Sequence, residues 1–115
     1  MPDYKFSVSL KISHPTVDAK TISYTLSLSP TGSNDTGDLR VTKNGRLLGG
    51  SYEDMLWNLD LCDGKRIDTE DVLFEEFIAQ KNTELEKHKD FFNKLRSTGG
   101  VIEYFVGWFS VDSIN

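Results

Sequence analysis

Apolar and polar residues alternate from Tyr4 to Ser13. Tyr4, Phe6, Val8, Leu10 and Ile12 fall on one side, and Lys5, Ser7, Ser9, Lys11 and Ser13 on the other. This period of two predicts a strand with one buried face. His14-Pro15 ends it, because proline fixes φ and biases the residue before it away from helix. Asp18 then caps a short predicted helix whose Ala19, Ile22 and Leu26 share one side, finished before Ser29-Pro30. Residues 31–38, TGSNDTGD, are small and polar and are expected to form a loop. Asn44-Gly45 lies between two apolar-containing runs and predicts a tight hairpin. In the next segment Met55, Trp57, Leu59 and Leu61 alternate with polar positions, and only Leu56 breaks the pattern of a half-buried strand.

The period changes after Asp68. Leu73, Phe74, Phe77 and Ile78 recur at three and four, which predicts a helix capped by Asp68 with Glu70 and Asp71 in its first turn. Leu85, His88, Phe92 and Leu95 continue the stripe. Thr83 and Glu86 have capping-box spacing, so two helices broken near Asn82 are expected, with one continuous helix as the alternative. Gly99-Gly100 stops the stripe. The order is strand, helix, hairpin and strand, helix pair, strand. It predicts one α+β domain over residues 1–115, with helices packed on one face of a mainly antiparallel sheet.

The last segment does not fit a sheet wetted on one side. Ile102, Tyr104, Val106 and Trp108 form one face, but the other carries Val101, Phe105 and Phe109 beside Glu103 and Gly107. Burying Phe105 and Phe109 is worth ~2 kcal/mol each, so leaving both exposed invites association. The pattern is open between a central strand buried on both sides, a strand whose neighbour is missing, and an interface.

Charge narrows the partners. Thirteen Lys and Arg face 18 Asp and Glu, for a net charge of −5. That argues against nucleic acid, whose phosphates need clustered cations. No stretch is long and apolar enough to be a membrane span, and the expectation is a cytoplasmic protein. Asn34-Asp35-Thr36 fits a glycosylation sequon and is read as a turn. Cys62 is the only cysteine and His14 and His88 the only histidines, which predicts no disulfide, no metal site and no cofactor. Cys62 in Cys-Asp-Gly lacks the context of a catalytic thiol, and His14 and His88 are expected to bond locally and to flank the helix stripe. No catalytic constellation is visible, so a non-enzymatic protein is expected.

LKISHPTVD, Leu28-x-Pro30, Gly37-Asp38-x-Arg40-x-Thr42-x-x-Gly45, Trp57, the helix pair, Ser97-Thr98-Gly99-Gly100 and Val106-Gly107-Trp108-Phe109-Ser110 occur in an order that resembles a bacterial family known as domain of unknown function 4279. The likeness runs from about residue 6 to residue 110. Members of that family usually continue with another helix and strand, so the resemblance implies a shortened form ending at Asn115. It implies no reaction and no catalytic residues, and it points towards bacterial accessory and immunity-type proteins.

The functional expectation is a protein-binding domain, most concretely an immunity-type inhibitor of a basic toxin. Its acidic face would carry Glu70, Asp71, Glu75 and Glu76, and its aromatic anchors would be Tyr52, Trp57, Tyr104, Trp108 and Phe109. The alternatives are a self-assembling homo-oligomeric module or, behind it, a small-ligand-binding protein or an unrecognised enzyme.

Overall fold

The alternating first segment forms the long strand β1 (Tyr4–His14), in which Phe6, Val8, Leu10, Ile12 and His14 are buried. The structure, a computed structural model, describes residues 4–42 and 44–110. The other elements are α1 (Ala19–Leu26), β2 (Gly32–Asn34), β3 (Leu39–Val41), β4 (Leu47–Ser51), β5 (Met55–Asp60), β6 (Ile67–Asp68), α2 (Phe74–Leu85), α3 (Lys89–Ser97) and β7 (Val101–Ser110). β5 pairs antiparallel with one half of β1 and β6 with the other, and β7 runs antiparallel along β1 from Tyr4↔Ser110 to Ser13↔Val101. β2 extends the sheet beyond β5. The fold is α+β with a mainly antiparallel sheet, as the patterning predicts.

The apolar side of β1 builds two adjoining clusters. Leu10 and Ile12 pack with Ala19, Ile22 and Leu26 of α1, Met55 and Trp57 of β5, and Phe92 and Leu95 of α3. Phe6 and Val8 pack with Cys62 and Phe77. The helices therefore cover one face of the sheet. Asp18 caps α1 as expected, its carboxylate accepting from the Thr21 N–H at 2.9 Å.

Three expectations change. Residues 32–34 are not loop: Gly32 to Asn34 pair with β5, held by main-chain bonds that side-chain composition does not reveal. Asp68 does not cap a helix. It ends β6, its carboxylate accepts from the Glu70 N–H at 2.9 Å in a turn, and α2 starts only at Phe74. The helix pair breaks at a 3-10 turn, Glu86–His88, rather than at Asn82, and Thr83 bonds back to the Ala79 carbonyl instead of closing a capping box. The Asn44-Gly45 hairpin does form, as the two-stranded sheet β3–β4, with the Gly45 N–H donating to the Thr42 carbonyl at 2.9 Å; Lys43 in its turn lies outside the described residues.

The turn from α3 into β7 is locked onto the end of β1. The Nδ1 of buried His14 accepts from the Thr16 and Val17 N–H groups, each at 3.0 Å, which leaves Nε2 to donate to the Thr98 hydroxyl at 2.7 Å. The Gly100 N–H donates to the Leu95 carbonyl at 2.7 Å. A Cβ at Gly100 would lie 2.8 Å from that carbonyl oxygen and 3.0 Å from the His14 ring. Gly100→Ala is therefore expected to destabilise the fold by about 1–3 kcal/mol, the usual cost of forced overpacking. Urea unfolding followed by circular dichroism checks it, and an unchanged midpoint would refute it.

Candidate functional site

The parity of β1 decides what the open face of the sheet displays. Lys5, Ser7, Ser9, Lys11 and Ser13 stand opposite Phe109, Gly107, Phe105, Glu103 and Val101, on the side away from the buried residues. Phe105 is 62% exposed. Of the three readings the pattern leaves open, the central strand is not the one formed: β7 is paired on one side only, among the described residues. Two cations cover part of its rings. The Arg66 guanidinium stacks over Phe109 at 3.6 Å from the ring centre, and the Lys11 Nζ lies 5.1 Å from that of Phe105.

Trp108, on the opposite face of β7, stays 51% exposed although its indole packs at 4.9 Å from the Phe74 ring and 5.9 Å from that of Phe6. Phe74 is the first residue of α2, so the contact sets Trp108 beside the acidic end of that helix. Glu75 and Glu76 occupy its first turn, where they complement the helix dipole. Glu70 and Asp71 lie in the turn that leads into it, all four exposed. Among the described residues Asp71, Glu75 and Glu76 make no ion pair. The structure thus places Trp108 against Phe74, the first residue of the helix whose first turn carries Glu75 and Glu76.

The other proposed anchors separate from it. Trp57 is 1% exposed and its indole N–H donates to the Ser23 hydroxyl at 3.0 Å, so it anchors the core and has no surface to offer a partner. Tyr52 sits at the base of the hairpin, its main chain bonded to Gly37 and Asp38. Tyr104 is half-buried, its hydroxyl donating to the Asn82 side chain at 2.8 Å, and burial with the nearby Glu84 charge pushes its phenol up. Phe109 lies under Arg66. Sequence reasoning missed Phe74 and Arg66 as parts of these surfaces, because their roles come from contacts that no local spacing encodes.

Between the helix pair and β7 runs a groove of about 470 Å³. Leu10, Leu85, Phe92 and Ile102 supply apolar walls, and Glu86 and Arg96 charged ones. Among the described residues no group of three or more His, Cys, Asp or Glu is placed to hold a metal ion, and no helix is long and apolar enough to cross a membrane. Comparison with models of protein families, with characterised proteins and with solved structures finds no match to the chain.

Cys62 is buried against Phe6, Val8 and Phe77, and that burial pushes its thiol above the ordinary range. The unfolded chain then ionises before the folded one, so this group favours folding below the ordinary thiol value and that contribution is lost as pH rises towards the folded value. A disulfide reagent at neutral pH is expected to leave Cys62 largely unmodified in the native protein and to react promptly in urea, read by release of the coloured thiolate. Equal rates in both states would contradict its burial.

Proposed function

We propose that this protein is a non-enzymatic protein-binding domain of the immunity type. It docks a basic protein partner on the patch formed by Trp108, Phe74 and the carboxylates of Glu70, Asp71, Glu75 and Glu76. The observation that supports this reading is the half-exposed indole packed against Phe74 at the acidic start of α2. A tryptophan already packed on one side gives apolar area at small entropic cost, and like charge on the adjoining helix start speeds encounter with an opposite charge. The resemblance seen in the sequence points the same way, towards small bacterial accessory proteins.

Affinity capture from the cytosol of the source organism tests it, with variants alongside the wild type. Trp108→Ala is expected to weaken binding of the recovered basic protein by about 30-fold, the loss typical of a tryptophan hot spot. Glu75→Lys with Glu76→Lys is expected to slow association about tenfold at low salt and much less at high salt. A partner whose binding ignores both changes, in variants with native circular dichroism, would reject the patch.

A further inference from the structure

Among the described residues β7 has a strand partner on one side only, and the direction of its main-chain groups follows from β1. The Leu61 N–H donates to the Val8 carbonyl and the Thr69 N–H to the Tyr4 carbonyl, each at 2.9 Å. The even residues of β1 therefore bond towards β5 and β6, and its odd residues towards β7. Their register partners on β7 are the odd ones. In an antiparallel ladder both groups of a residue point the same way. The N–H and C=O of Ile102, Tyr104, Val106 and Trp108 consequently point outward along an edge that no strand among the described residues covers. Proteins usually guard such an edge with proline, a bulge or several charges. β7 has no proline, its register with β1 is unbroken, and Glu103 is its single charge.

We propose that this edge pairs antiparallel with β7 of a second copy, across a two-fold axis through Val106, to form a homodimer with one continuous sheet. The edge is complementary to itself. Because the pairing is isologous, every contact occurs twice. With Val106 opposite itself, Glu103 faces Phe109 of the second copy, whose ring carries Arg66. Lys11, opposite Glu103 on β1, reaches over the Phe105 ring and makes no ion pair with Glu103 among the described residues, so the Arg66 of the second copy brings a further cation to that carboxylate. Phe105 faces Gly107, over which the Phe109 ring of the same strand already lies, so the two rings of one copy flank the Phe105 of the other. Trp108 faces Tyr104, at the mouth of the groove walled by Leu10, Leu85, Phe92 and Ile102. The register that would oppose Glu103 to itself is excluded by like-charge repulsion.

This pairing goes beyond the docking of a basic partner, and the two compete for Trp108. Sedimentation of the full chain alone, over a concentration series, tests it without any partner. The expected result is a species of twice the 13.0 kDa chain mass. Val106→Pro removes an outward N–H and no bond to β1, a position where an edge strand tolerates proline; it is expected to give a folded monomer. Glu103→Arg sets like charges against Arg66 and is expected to weaken the dimer at least about tenfold, with recovery when Arg66→Glu is added. A single-chain mass throughout the series overturns the proposal, and so does a dimer that V106P and E103R both leave intact.

Discussion

The antiparallel pairing of β1 with β7 is the interaction on which the remaining structure depends. It is ten residues long on the β7 side and unbroken. It fixes which side chains meet the helices and which meet water, since a slip by one residue would send each to the opposite face. In the observed register Ile102, Tyr104 and Val106 join the two buried clusters, while Phe105 and Phe109 stay outside. One end of the pairing is held by the His14 and Thr98 side chains, which meet from positions 84 residues apart. Gly100 allows that approach because no Cβ intervenes.

Much of this was legible in the residue pattern, for a physical reason. Strict alternation such as that of β1 has one reading, and Asp18 followed by Ala19, Ile22 and Leu26 has one helix register. The failures lie where local chemistry is ambiguous. Asp68 caps an isolated turn as readily as a helix, and only its place at the end of β6 decides. Gly32 to Asn34 carry no apolar pattern and become strand because β5 offers a ladder. Trp57 and Trp108 look alike as aromatic residues in strands, but one is buried beneath α1 and the other stands at the end of an edge strand. Placing either requires knowing the sheet order.

The chain is acidic, yet its open sheet face mixes both signs: Lys5, Lys11 and Arg66 stand among aromatic and serine residues, with Glu103 opposite Lys11 and Asp68 opposite Lys5. Glu75 and Glu76 lie apart from it in the first turn of α2. The Asp60 carboxylate is spent on the turn after β5, accepting from the Cys62 and Gly64 N–H groups, and Asp68 is spent on the turn before α2. A stacked guanidinium on Phe109 lets that ring sit at a wet surface without leaving bare hydrocarbon to water.

The central position of β1 also has a cost in time. Its contacts with β7 join segments on opposite sides of nearly the whole described chain, whereas β5 and α1 reach it over shorter loops. Chain entropy opposes the long closure most, and contacts between distant segments slow folding. The hydrophobic cluster of β1, α1 and β5 can gather first, with α3 and β7 docking afterwards. Until they do, one side of β1 carries unmet main-chain groups of its own, and the interval before closure is the period in which the young protein is most exposed to mispairing.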